Sequence, residues 1–387
     1  MENYNARAWA EINLDAIAHN VQNIRKLVGE KTKILCVVKA NAYGHGFFET
    51  AKTMIENGAD ALAVATFEEG RQLRLSGFKT PILVLGSINT VLASDMIKYD
   101  ISATITDEML ARAMSKAAIL QNKSAKFHIK IDTGMSRLGF PCNDNGISSI
   151  KNICSLPNVE TEGIFTHLSC ADEKDRTMTD EQFKKFMYVV KALEEENIKF
   201  TYRHICNSAA IIQYPEYHLD MVRPGIIIYG LYPDSKLNCG KLDLIPAMTV
   251  KARIARIEEI EDNTPVSYGA SFKTCGKTKI ATVPIGYADG YLRCLSGTAF
   301  MSVCGVKVPV VGRICMDQCM IDVSSVNNIN VGDKVTVFGS GGDSDISLEK
   351  LAENAGTVPH EILSLTGNRT PRVFIKDGKV IDVLTYL

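Results

Sequence analysis

Apolar residues along this chain recur in two rhythms. At Leu14, Ile17, Val21, Ile24 and Val28 the spacing is that of one helical face, and Gly29 follows where a helix would be capped. Short apolar runs at Ile34–Val38, Ala61–Ala65, Ile82–Leu85, Ile101–Ile105, Phe127–Ile131, Gly163–Thr166, Tyr202–Cys206 and Gly225–Tyr229 read as strands. Most are separated by amphipathic stretches such as Gln182–Leu193. About eight βα units in one run predict an α/β fold with a parallel (β/α)8 TIM barrel rather than an open doubly wound sheet. The first unit lacks a G-x-G-x-x-G turn, which also counts against a dinucleotide fold.

Beyond residue 240 the texture changes. Met248–Ile257, Lys279–Pro284, Val306–Val311, Lys334–Phe338 and Arg372–Ile375 are β-like, with a Gly-rich turn over 339–343 and a short helix near Leu348–Ala355. The predicted organisation is a strand within residues 1–13 that could pair with either domain, a barrel over 14–240, and a mostly-β domain over 241–387.

Length and composition narrow the class. The 387 residues, 46% hydrophobic and 22% charged, suit an ordinary globular protein of two domains. A net charge of -1 with no long basic run argues against a nucleic-acid partner. No apolar stretch reaches the roughly 18 residues of a membrane span. The start, Met1-Glu2-Asn3-Tyr4-Asn5, lacks a secretory pattern, so a cytoplasmic location is expected. The 11 cysteines include no Cys-x-x-Cys pair, and no histidine lies near Cys315 and Cys319 to complete a zinc set. Reduced thiols and no metal are the expectation.

The candidate chemistry sits at the strand ends. Lys39 closes the first apolar run and opens the Gly-punctuated turn Ala40-Asn41-Ala42-Tyr43-Gly44-His45-Gly46. A lysine buried at such a place loses its proton more easily and can attack a carbonyl. Lys130, Asp132 and Arg137 follow strand five; His167 ends strand six; His204, Asn207 and Ser208 follow strand seven; Arg223 lies in the eighth unit. In a barrel these ends share one rim. Ser208 and the amides of Gly225 and Ile226 could bind an anion, although Ser208 could equally cap a helix over Ala209–Tyr214.

Taken together, VVKANAYGHG, KIDTGMSRLGF, THLSCAD, NSAA, MVRPGIIIYG, SYGASF, VPIGYADGY and GRICMDQ occur in order along almost the whole chain. In these motifs the chain resembles the bacterial alanine racemases, pyridoxal 5'-phosphate enzymes with a barrel and a C-terminal β domain. The resemblance implies that Lys39 carries the cofactor and serves as a base on one face of the substrate α-carbon. Tyr43, Asn207, Ser208, Gly225, Ile226 and Asn368 would bind the cofactor, Arg223 would face its ring nitrogen, and His167 would lie near the ring. Inversion needs a second base on the opposite face. The family's candidate is Tyr268, reaching the site of the other subunit of a homodimer. Arg137 and the amide of Met316 would hold the substrate carboxylate, Lys130 matches a lysine carried as a carbamate, and Tyr287, Arg293 and Asp317 match an entryway. An ordinary Lys130–Asp132 pair is the alternative for that lysine.

Two positions depart from the common pattern. Ser136 replaces a frequent glycine, which is expected to be benign. Asn368 stands where many relatives have a tyrosine, and serine racemases related to the family carry Asn there. A smaller polar side chain suggests serine as a second substrate. A basic amino-acid decarboxylase on the same plan, or a non-catalytic carrier of the cofactor, are the competing classes.

Overall fold

The strands Lys33–Val37, Ala61–Val64, Ile82–Val84, Ser102–Ile105, Ala125–Asp132, Val159–Phe165 and Tyr202–His204 pair in chain order, every ladder parallel. Met221–Val222 pairs with Lys33–Val37. Backbone bonds from Asp220 to Arg203 (3.2 Å) and from Arg223 to Cys206 (2.9 Å) complete the ring. This is the expected (β/α)8 barrel, seen in a computed structural model that describes residues 6–234, 240–339 and 346–386. Strand side chains on both faces are buried, Leu35, Leu62, Ala63, Val84, Ala103, Phe127, Ile129 and Ile164 each being 2% exposed or less. Strands buried on both faces read as continuous apolar runs, which is why they were visible in the sequence.

One run was misassigned. The eighth strand is Met221–Val222, and Ile226–Tyr229 of the expected strand Gly225–Tyr229 is instead a 3-10 turn ended by Gly230 at φ 87°. All four turn residues are buried, and the Tyr229 hydroxyl donates to Val37 O at 2.9 Å. A segment enclosed on every side shows no periodicity that separates strand from helix.

The chain divides into two compact units. One joins Met1–Ile17, Tyr43–Glu49 and Ile245–Leu387, and the other joins Ala18–Ala42 and Thr50–Leu244. The first unit is built on a sheet of ten strands. Ala8–Asn13 lies inside it, antiparallel to Met248–Arg253 and parallel to Arg372–Lys376. The N-terminal strand therefore belongs with the β domain. The expected strand Met248–Ile257 breaks into Met248–Arg253 and Arg256–Ile260, while the helix Leu348–Ala355 is found as expected. A second helix, Pro359–Leu365, was not anticipated. Of the Gly-rich turn, positions 340–343 lie outside the described residues. No helix among the described residues is long and apolar enough to cross a membrane.

Candidate active site

In the barrel unit, Lys39 follows the first strand at the start of an unusual backbone. Ala40, Asn41, Ala42 and Tyr43 have φ of 52°, 55°, 54° and 51°, four successive left-handed residues. Left-handed conformation costs about 1–2 kcal/mol per residue away from glycine, or roughly 4–8 kcal/mol here. Such strain persists only where its surroundings enforce it, and it clusters at functional sites. Part of the enforcement is Glu69. Its Oε1 accepts the Ala40 N–H at 2.6 Å while Oε2 accepts the Ala65 N–H at 2.7 Å. Thr66 and Glu69 also form a capping box at the start of helix Phe67–Leu75. Glu69 is absent from the strand-end candidates because it lies inside a helix, and its signal in the sequence is the Thr66-x-x-Glu69 spacing of a capping box.

Burial, and then the positive charge of Arg137, push the Lys39 amine below the ordinary lysine range, and Glu69 opposes them. Burial, reinforced by Arg223, pushes Lys130 down to about 8. Its Nζ donates to Ile131 O (2.8 Å) and Leu138 O (3.2 Å), so the alternative Lys130–Asp132 pair does not form. Asp132 instead accepts the N–H groups of Gly134 and Ser136, each at 3.0 Å, shaping the loop that carries Arg137. Ser136 takes a left-handed φ of 56°, which explains why glycine suits this position and shows how the Asp132 bond lets serine hold it.

His167 reports where these groups converge. Burial holds its imidazole well below the usual histidine range, and Arg223, Arg137, Lys130 and Lys39 all add to the effect. Four cations around one neutral imidazole make a site for anionic groups. Arg223 is pushed down to about 10 by burial, so it stays charged at neutral pH. Its guanidinium donates to Thr166 O (2.7 Å), Ile205 O (3.1 Å), His204 O (2.9 Å) and His204 Nδ1 (2.8 Å). His204 is therefore inside the barrel, fully buried, and not on the rim as expected.

Beyond strand seven, Asn207 caps the helix Ser208–Gln213 through Oδ1 and Ala210 N–H (3.1 Å), and its Nδ2 donates to Leu168 O (3.1 Å). The cap expected from Ser208 thus belongs to Asn207, whose side chain is occupied structurally. Ser208 Oγ accepts the Gly225 N–H at 2.9 Å. The hydroxyl proton of Ser208 and the Ile226 amide are what this corner offers an anion.

The remaining candidates belong to the β unit. Tyr43 is buried, which pushes its phenol up to about 12. Gly44 turns beside it at φ 78°, where a Cβ would lie 2.2 Å from Leu363 O. Arg372, 1% exposed, donates to the carbonyls of Gly44, Thr366, Gly367 and Thr370. It thereby ties the Tyr43 turn to the loop bearing the exposed Asn368. Arg369 pairs with Asp317 at 2.7 Å. Tyr268 opens a 3-10 turn whose Gly269 lies against the guanidinium of Arg313, a Cβ there meeting Nη1 at 2.9 Å. Tyr268, Met316 and Asp317 line one open groove, and Tyr268 and Met316 are 69% and 53% exposed. Tyr287 and Arg293 are exposed on the same unit.

Two family models match this chain, the alanine racemase N-terminal domain over residues 12–233 and the alanine racemase C-terminal domain over residues 247–374. The chain belongs to the alanine racemase family. It is 47% identical to an alanine racemase of Methanococcus maripaludis over 95% of this chain and 98% of that one. An alanine racemase of Clostridium perfringens is 46% identical over 98% of each. Among solved structures, that of the Clostridium difficile alanine racemase superposes with a TM-score of 0.95 at 38% identity, covering 100% of both chains. An alanine racemase of Bacillus anthracis with bound L-Ala-P gives a TM-score of 0.93 at 35% identity, over 99% of this chain and 98% of that one. Alanine racemases are pyridoxal 5'-phosphate enzymes, and the barrel's donor set fits that cofactor. A depressed lysine amine suits its aldehyde, the Ser208 hydroxyl and Ile226 amide suit its phosphate, and the Arg223 guanidinium suits a ring nitrogen that must not be protonated.

Proposed function

We propose that this chain interconverts L-alanine and D-alanine with two bases, Lys39 and Tyr268 of the partner subunit, as a cytoplasmic homodimer that supplies D-alanine for peptidoglycan. The observation that carries this reading is the convergence of Lys39, Lys130, Arg137 and Arg223 on the neutral His167. Pyridoxal 5'-phosphate, when bound, supplies an electron-withdrawing ring that acidifies the Cα–H of an amino acid.

Lys39 holds or releases a proton at Nζ on one face of that carbon. The phenol of Tyr268 does the same on the other face. Arg223 keeps its own protons and donates to the ring nitrogen, so negative charge is not strongly drawn to the ring and side reactions are limited. Arg137 and the Met316 amide bind the substrate carboxylate. Ser208, Ile226 and Tyr43 bind the phosphate. Lys130, whose amine is depressed to about 8, is suited to add carbon dioxide, and the resulting carbamate would steady Arg137. What supports a shared site is the exposure of Tyr268 and Met316 along one groove of the single chain, apolar surface of the kind that a partner covers.

A serine reading is favoured by Asn368, exposed on the loop that Arg372 shapes. Initial rates on L-alanine and L-serine, measured side by side on cofactor-loaded protein, test both readings. Measurable alanine racemisation is required. Asn368→Tyr should lower the serine-to-alanine ratio by about tenfold, the scale of one polar contact and the space beside it. An unchanged ratio removes Asn368 from substrate choice.

A further inference from the structure

Arg223 is a buried cation without a nearby counter-charge. Among the described residues no carboxylate pairs with it, and three of its four bonds go to backbone carbonyls. The fourth, from Nη1 to His204 Nδ1, has a direction that chemistry imposes. A guanidinium only donates, so Nδ1 must accept. A neutral imidazole has one donor and one acceptor, which places the His204 proton on Nε2. That Nε2 lies 2.8 Å from His128 Nδ1, so His128 accepts there and carries its own proton on Nε2. His128 Nε2 in turn faces Glu162 Oε2 at 3.6 Å, a charge–dipole contact longer than a hydrogen bond. Ser102 Oγ donates to the same oxygen at 2.7 Å.

These donors point one way, from Arg223 through two imidazoles to one carboxylate, across adjacent strands of the barrel. Surrounding features support the arrangement. Gly163 leaves the room that His128 needs, since a Cβ there would lie 2.4 Å from His128 Nδ1. Phe165 stacks on His204 with centroids 4.7 Å apart and lies 5.2 Å beneath the Arg223 guanidinium. Burial, and then Arg223, hold His204 well below the usual histidine range, as a neutral link requires. Although burial pushes the Glu162 carboxyl up, the contacts from His128 and Ser102 outweigh it and hold the group below its ordinary value.

We propose that Glu162 is a positioning residue for Arg223, serving as the guanidinium's remote counter-charge at the end of the donor direction that Arg223 imposes on His204 and His128. Its effect on turnover rests on the reading that Arg223 donates to the cofactor ring. The tautomer claim does not. No proton is transferred along the chain; its role is to hold one donor direction.

The test uses protein labelled with 15N at histidine, as wild type, Glu162→Gln and Glu162→Leu. Long-range proton–nitrogen spectra of the wild type should show His128 and His204 neutral and protonated at Nε2. Glu162→Gln keeps an acceptor but loses the charge. It should preserve both tautomers and lower kcat for alanine by about tenfold with KM changed less than about twofold. Glu162→Leu should keep both tautomers, which Arg223 imposes, and lower kcat at least as far as Glu162→Gln does. A wild-type His128 protonated at Nδ1 overturns the proposal, and so does a Glu162→Gln protein with wild-type kcat. If Glu162→Leu does not fold, the wild-type spectra and the Gln variant decide alone. Correct tautomers in a protein that racemises nothing would remove the proposed function and leave the chain of contacts standing.

Discussion

Lys39→Met should lower kcat/KM for alanine by about 10⁴-fold or more, because it removes both the cofactor anchor and one base. Methionine keeps the length and much of the volume of lysine. The left-handed turn that follows is held by backbone contacts, among them Ala40 N–H to Glu69, so it should survive the change. Stability separates loss of chemistry from loss of fold. The folded pKa of Lys39 is lowered, chiefly by burial, so its charged form opposes folding at every pH below that value. Removing the amine should therefore leave the melting temperature at pH 7 unchanged or higher. Reduction of the loaded wild type with borohydride, followed by peptide mapping, should place the cofactor on Lys39. Full activity in the variant, or a cofactor mapped to another lysine, contradicts the assignment.

Tyr268→Phe should lower racemisation of alanine by about 10³-fold, within the usual contribution of a positioned acid or base. Phenylalanine keeps the ring and deletes only the group that carries the proton. Lys39 still faces one side of the α-carbon, so in D2O one enantiomer should continue to exchange its α-hydrogen without inverting. The other should exchange slowly. This asymmetry distinguishes a lost base from a general loss of binding, which would slow both enantiomers alike. Tyr268 is 69% exposed on the single chain, so the substitution should leave stability within about 0.5 kcal/mol of wild type. Equal loss of exchange from both enantiomers would remove Tyr268 from the proton-carrying role.

Legibility followed locality. Seven barrel strands, the first helix and the helix Leu348–Ala355 were visible because each announces its own burial pattern. The eighth strand was not, since Met221–Val222 is two residues long and the apolar Ile226–Tyr229 drew the assignment to itself. The placement of Ala8–Asn13 depended on strands more than 200 residues away, which no local pattern encodes. Lys39, His167 and Arg223 were found because strand ends are where a barrel keeps its chemistry. His204 was put on the same rim, yet it points inward to join a core network. Glu162 and His128 were missed because a polar residue inside an apolar strand looks like any other until its partners on neighbouring strands are known. Arg372 was read only as the first residue of a β-like run, whereas its four carbonyl contacts organise the Gly44 turn and the 366–370 loop.

Mixing the two inactive variants, Lys39→Met and Tyr268→Phe, measures the shared site itself. After the subunits are unfolded and refolded together in equal amounts, half of the dimers should be mixed, and each of those holds one complete site. Racemase activity should then recover to about a quarter of wild type, far above either variant alone. Activity no greater than the sum of the two variants would show that Lys39 and Tyr268 do not serve one substrate from different subunits.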